Sequence, residues 1–254
     1  MATDFSSTGD PARSLALLWG TEERGRRGPK GRVTVAAIVR AAVDLADREG
    51  LGALSMRKIA TEVGVGTMSL YTYLPGKAEL LDLMLDAVYA ETAKPDDPAA
   101  GWRARLEQVA RENWALYRRH PWMLQVATPR PVLGPNLMAK YEHELRAVAD
   151  SGLDDLEMDA VVALVADLVQ AAARRAVQAR EVRARTGMTD EEWWQTRAPF
   201  LDTVVRADEY PLASRVGAAV GEAHGSAGDP EQLFEFGLRR VLDGIEVLLS
   251  ARTP

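Results

Sequence analysis

Apolar residues Val35, Ile38, Val39, Ala42, Val43, Leu45 and Ala46 recur at three- and four-residue intervals until Gly50 ends the pattern, and Thr34 stands where an N-cap belongs. The spacing predicts a first helix. Ser55 can cap a second, with Met56, Ile59, Ala60 and Val63 turned inward and Gly64 closing it. Thr67 can cap a third, short one that runs to about Tyr73, and Pro75-Gly76 separates it from a fourth over Lys77 to Thr92. That fourth helix is strongly apolar at Leu80, Leu81, Met84, Leu85 and Val88, which suits a joint to the rest of the chain.

Beyond "KPDDP" at 94–98 the periodicity stays helical, with helices expected near 101–119, 134–150, 156–184, 189–205, 209–221 and 230–251. No alternating, β-branched pattern competes, so the fold class is all-α. Residues 1–23, rich in Ser, Thr, Gly and Asp, are expected to be disordered apart from a short apolar turn at Leu15 to Trp19.

Composition narrows the chemistry. A chain of 254 residues can bury a full core. It has no Cys, and only His120, His143 and His224 can supply imidazole, which argues against disulfides, a zinc site or a His-based catalytic constellation. No metal or cofactor is expected. No apolar run approaches the roughly 18 residues of a membrane span, and "SLALLWG" at 14–20 lacks the basic lead-in of a signal peptide. The expectation is a soluble cytoplasmic protein with no membrane partner.

The formal net charge of -6 conceals a polarity. Between Arg24 and Lys77, ten Lys/Arg stand against four Asp/Glu, while the remainder carries 21 against 33. One end is basic and the body is acidic. Such asymmetry fits an end that meets a polyanion, though an ordinary solvated surface explains it equally well. Within that end, "RGRRGPKGR" at 24–32 cannot be a helix interior, because Gly and Pro oppose it. A flexible basic arm remains, with Arg26, Arg27 and Lys30 suited to phosphates or a narrow minor groove, an inert cationic tail being the alternative.

The second and third helices, joined by "GVG", have the spacing of a helix-turn-helix, whose second helix lies in the major groove. Leu54, Ile59, Val63, Val65 and Leu70 can fix the pair against the first helix. That leaves an outward set: Thr67, Met68, Ser69, Thr72 and Tyr73 can face base edges, Tyr71 and Lys77 can reach phosphates, and Arg57 can reach a guanine edge or a phosphate. An isolated Tyr is more commonly a partly buried aromatic. The turn spacing, the polar face and the upstream basic arm converge on DNA instead.

Residues 33–80, above all "MRKIATEVGVGTMSLYTYLPGKAELL", resemble the DNA-binding domain of the TetR family of bacterial transcriptional repressors. The resemblance rests on Gly64-Val65, Leu70-Tyr71, Tyr73 and Lys77. It implies phosphate contacts from Tyr71 and Lys77 and base-facing roles for Arg57, Thr67, Met68, Ser69 and Thr72. The domain organisation then expected is a basic arm over 1–32, a three-helix DNA-binding domain over 33–80 and a helical ligand-binding and dimerisation domain over 81–254.

So short a recognition helix reads only a few base pairs, so specificity calls for two copies on a palindromic operator. A homodimer is expected. Two helices are apolar on more than one face: one carries Val161, Leu164, Val165 and Leu168, the other Leu238, Val241, Leu242, Ile245 and Leu249. Either can instead be central to its own domain. The family resemblance favours the dimer, because there the corresponding helices form a four-helix interface, and "LFEFGLRRVLDGIEVLL" resembles the closing helix of the tetracycline-repressor branch.

Trp114, Tyr117, Trp122, Met123 and Met138 can line an apolar pocket, with Asn113, Thr128, Arg130 and Glu142 as polar orienters, although each taken singly is as readily core or surface. The resemblance implies such a pocket for a small molecule. "MLQVATPRP" lacks the His that would favour a tetracycline–metal chelate. In "YEHEL" at 141–145 the consecutive Glu142, His143 and Glu144 point around a helix, so a solvated face is expected rather than a metal site.

The function expected is a sequence-specific DNA-binding regulator, a dimeric repressor released by a small-molecule ligand. A ligand-independent regulator or an activator is the alternative. A helical enzyme is remote, since no nucleophile–base pair, phosphate-binding Gly loop or metal cluster is present.

Overall fold

The computed structural model describes residues 4–7, 9–21, 33–93, 99–128 and 130–251. The predicted arm residues Arg26, Arg27 and Lys30 lie outside them. In chain order come strand β1 (Asp4–Phe5) and helices α1 (Pro11–Trp19), α2 (Val35–Glu49), α3 (Met56–Glu62), α4 (Thr67–Leu70), α5 (Lys77–Tyr89) and α6 (Trp102–Arg119). Strand β2 (Val126–Ala127) comes next, then α7 (Pro135–Arg146), α8 (Asp155–Thr186), α9 (Asp190–Val204), α10 (Pro211–His224) and α11 (Pro230–Ser250). The fold is all-α apart from one two-residue strand pair.

The chain forms two compact units, Met1–Ala166 with Leu248–Pro254, and Asp167–Val247, with boundaries inside α8 and α11. In the first unit, Ile38, Leu45, Ile59, Leu70, Leu80 and Met84 are fully buried in one hydrophobic cluster that also takes in Trp122, Met123 and Val132. The inward residues predicted for α2 and α3 are all there except Val35 and Val63, which pack at its edge.

The described residues of the N-terminal segment are not a disordered lead-in. Asp10 caps α1 by accepting from the Arg13 N–H, Pro11 occupies the first turn, and Gly20 ends the helix at φ 63° with its neighbour's N–H on the Ala16 carbonyl. β1 pairs in parallel with β2, Asp4 against Val126 and Phe5 against Ala127. Ser7 N–H donates to Asp82 Oδ1 at 2.8 Å, and Trp19 Nε1 donates to the Leu133 carbonyl at 2.9 Å. Polar composition argues for disorder only when no partner is available. Here α5 and the stretch before α7 supply the partners.

In the second unit, Gly237 of α11 lets the helices approach closely, for a Cβ there would sit 2.9 Å from Leu168 Cδ1 of α8. Gly221 of α10 likewise admits the Trp194 ring, whose Nε1 lies 2.7 Å from where a Cβ would be. Thr189 and Glu192 cap α9 reciprocally.

The residues expected at a dimer interface divide. Val161, Val165, Leu238, Leu242 and Ile245 are buried within the single chain, and Leu168, Val241 and Leu249 are half-buried. Only Leu164 of that set is exposed. The most hydrophobic stripe of a helix is satisfied first by its own core. The opposite face of α11 bears Leu233, Phe236, Arg240 and Val247 at helical spacing, with Phe236 56 % and Val247 70 % exposed.

Candidate nucleic-acid interface and its attachment to the body

Thr34 Oγ1 accepts from the Ala37 N–H at 3.1 Å and Ser55 Oγ from the Lys58 N–H at 3.3 Å, so α2 and α3 begin where the sequence predicts. α3 ends at Gly64, φ 73°, with Gly64 N–H on the Thr61 carbonyl and Val65 N–H on the Ala60 carbonyl. That paired closure sets the turn angle and needs a residue tolerant of positive φ. The N-cap of α4 is Gly66 rather than Thr67, which is the first helical residue. Regular α4 stops at Leu70, and Tyr71 to Tyr73 continue as turns. Leu70 and Leu74, both fully buried, pin this short element to the core.

Pinning Leu70 and Leu74 forces their neighbours outward. Met68 is 79 % exposed and Tyr71 42 %, and Arg57, Ser69 and Thr72 are exposed with them. Arg57 makes no side-chain hydrogen bond or ion pair with the described residues, whereas the adjacent Lys58 pairs with Glu49 and Arg48 pairs with Glu62. An unengaged guanidinium can be spent on a guanine edge or a phosphate. Thr67 and Lys77 are half-buried, Lys77 as the first residue of α5, where helix end and side chain both favour an anion.

Two of the predicted residues also make contacts within the chain. Tyr73 is half-buried and packs against the hydrophobic core, so its ring helps to anchor the turn. Thr72 Oγ1 donates to the Ser69 carbonyl at 2.7 Å, so its hydroxyl proton is committed to the backbone and only a lone pair is left for a base amino group.

Helices α2 and α5 attach the helix-turn-helix to α6, α7 and the stretch between them. Asp47 on α2 accepts from Trp122 Nε1 at 2.9 Å and lies 2.9 Å from His120 Nδ1, while His120 Nε2 lies 3.0 Å from Glu91 Oε2. Burial favours the protonated Glu91, but hydrogen bonds from His120 and Arg119 outweigh it and hold the carboxyl below its usual range. Further along, buried Asp86 on α5 accepts the Asn136 and Leu137 N–H groups and caps α7. Gly134 must be Gly for this approach, because a Cβ would lie 2.2 Å from Asp86 Oδ1.

The residues expected to line a pocket are divided between core and surface. Trp122 and Met123 belong to the core, Trp122 being 1 % exposed and hydrogen-bonded to Asp47. Met138 and Thr128 are exposed, and Glu142 is an exposed partner of Arg146 at 2.9 Å. Arg130 is exposed at a different cleft, beside the N-terminal segment. Trp114 is buried and Tyr117 packs against the core edge.

Asn113 is buried with polar partners. Its Nδ2 donates to Glu144 Oε1 at 2.7 Å, and Glu144 also pairs with Lys140, whose Nζ lies 5.7 Å from the centre of the Tyr89 ring. Glu144 is therefore buried, against the expectation of a solvated face: it lies one turn from Lys140, on the side of α7 that meets α6. Burial and the neighbouring Tyr117 and Glu144 push the Tyr89 phenol pKa well up.

Residues 38–84 match the family model described as bacterial regulatory proteins of the tetR family, and residues 94–249 match that of the tetracyclin repressor-like C-terminal domain. The chain belongs to the tetR family of bacterial regulatory proteins. A relative within it, the HTH-type transcriptional repressor DrrR1 of Streptomyces coeruleorubidus, is 46 % identical over 252 residues, covering 99 % of this chain and 91 % of that one. Among tetR-family crystal structures, apo ActR of Streptomyces coelicolor superposes with a TM-score of 0.69 at 25 % identity over 86 % of this chain and 97 % of its own. ActR in complex with actinorhodin gives 0.68 at 26 % identity, over 86 % and 99 %. Among the described residues no helix is long and apolar enough to cross a membrane.

Proposed function

We propose that this tetR-family protein is a dimeric transcriptional repressor that binds a palindromic operator and is released from it by a small organic molecule. The observation that carries the reading is the exposed set Arg57, Met68, Ser69 and Tyr71: burial of Leu70 and Leu74 turns the last three outward, and burial of Met56, Ile59 and Ala60 does the same for Arg57 on α3. A relative named as a transcriptional repressor, 46 % identical, supports repression over activation. Arg57 and the outer face of α4 read bases, and Tyr71 and Lys77 hold phosphates. The exposed stripe of α11, with Phe236 and Val247, joins two copies.

The effector acts at the far end of α5. That helix spans about 20 Å at 1.5 Å per residue, with Lys77 at its DNA end and Tyr89 beside the Asn113, Lys140 and Glu144 cluster. A ligand that re-pairs this cluster biases the tilt of α5 and hence the spacing of two recognition helices. Only differential affinity for the two states releases the operator. The complex of ActR with actinorhodin supports an organic effector.

Selection of bound duplexes from a random DNA pool by the purified protein tests the operator reading. An enriched inverted repeat with half-sites about one helical turn apart is expected. Recovery of unrelated sequences would overturn it.

A further inference from the structure

A cleft of about 380 Å³ lies between the N-terminal segment, Asp82 of α5 and residues 130–133. Leu15, Leu18, Val132 and Leu133 give it apolar walls, and Arg130 stands exposed at its edge. Two polar side chains in it are buried. Asp82 is 2 % exposed, and no Lys or Arg among the described residues pairs with it. Ser14 Oγ lies near enough to favour the ionised carboxylate, yet it is buried with no hydrogen bond of proper geometry.

The backbone that meets this acid is strained. Ser7, which donates its N–H to Asp82, holds φ 55°, the one positive value at a non-glycine residue among those described. Gly9 crosses Glu79 so closely that a Cβ would fall 2.2 Å from its Oε1, so a second carboxylate stands nearby. Burial, reinforced by Glu79 against the opposing Ser7 hydrogen bond, raises the Asp82 pKa. Among the described residues, a buried carboxylate without a cation, beside the Ser14 hydroxyl and inside apolar walls, suits a positive group carried on an apolar body.

We propose that this cleft binds a small organic ammonium ion, its nitrogen on Asp82 and Ser14 and its apolar part against Leu15, Leu18 and Leu133. The site is separate from the Asn113–Glu144 cluster, and its occupancy is measurable without DNA, so it stands or falls independently of the operator reading. Because the segment that supplies Ser7 and Leu15 is one wall, the bound cation also ties that segment to α5.

The test is calorimetric titration of the full chain at pH 8 with 1-naphthylmethylamine and with 1-naphthylmethanol, which share a ring system and differ in charge. The amine is expected to bind about tenfold or more tighter, the advantage of a charge-assisted contact. Asp82→Asn, which keeps an acceptor for the Ser7 N–H, abolishes that preference, and Leu15→Trp, which fills the cleft from its rim, abolishes binding of both. Hydrogen exchange at the Ser7 amide slows with the amine bound. Absence of amine binding, equal affinity for the two compounds, or a preference that survives Asp82→Asn would overturn the proposal.

Discussion

Trp122 Nε1 donates to Asp47 Oδ1 at 2.9 Å, so a fully buried indole from the chain after α6 is tied to a carboxylate on the first helix of the DNA-binding domain. His120 reaches the same carboxylate at 2.9 Å and Glu91 at 3.0 Å, which makes Asp47 a shared acceptor for two groups of the body. Asp47 thereby ties α2 to the stretch after α6.

Removing that acceptor leaves a buried indole N–H and an imidazole nitrogen unpaired. Asp47→Ala is expected to cost about 2 kcal/mol, within the range for orphaned buried donors, and to lower Tm by about 4–8 °C for a chain of this size. Differential scanning calorimetry checks this, and an unchanged Tm would show that the bonds hold nothing together.

Asp82 and Glu91 predict opposite responses to pH. The folded pKa of Asp82 is raised, so its stabilising contribution is present below the unfolded value of 3.8 and is lost as pH rises through the folded value. Asp82→Asn should raise Tm at pH 8 and do nothing below pH 3.8. The folded pKa of Glu91 is lowered, so its contribution is present above 4.5 and is lost as pH falls through the folded value. Glu91→Gln should lower Tm at pH 7 but not once the wild-type carboxyl is protonated.

The DNA face separates into two classes of mutant. Arg57→Ala should cost about 1–3 kcal/mol of operator affinity and relax preference at one base position if the guanidinium reads a guanine. Lys77→Ala should weaken all duplexes alike and reduce the salt slope by about 1. Fluorescence anisotropy over a salt series distinguishes the two, and retention of affinity and preference by Arg57→Ala would remove that side chain from the interface.

Helix α11 supplies a contrast between its two faces. Phe236→Glu, on the exposed face, should yield a folded monomer by analytical ultracentrifugation with operator affinity lost. Leu242→Ala, on the buried face, should destabilise each chain by about 2–5 kcal/mol through the cavity it leaves. A Phe236→Glu protein that stays dimeric would place the interface elsewhere.

Local rules determined much of this protein. Periodicity, Thr34, Ser55 and Gly64 set the helix-turn-helix within about three residues, because caps and apolar spacing act over one turn and are written contiguously. The exposed Arg57 follows from the same spacing once Ile59 is buried, and the exposed Met68 and Tyr71 once Leu70 is. The tertiary structure decided the pairings between distant residues. Composition alone cannot show that Ser7 meets Asp82, that Asp47 receives both Trp122 and His120, or that Glu144 turns inward to Asn113. Nor does periodicity say which of two apolar faces on α11 the chain itself consumes. A side chain's neighbours along the sequence fix its helix, but its burial and charge depend on what the rest of the chain brings to it.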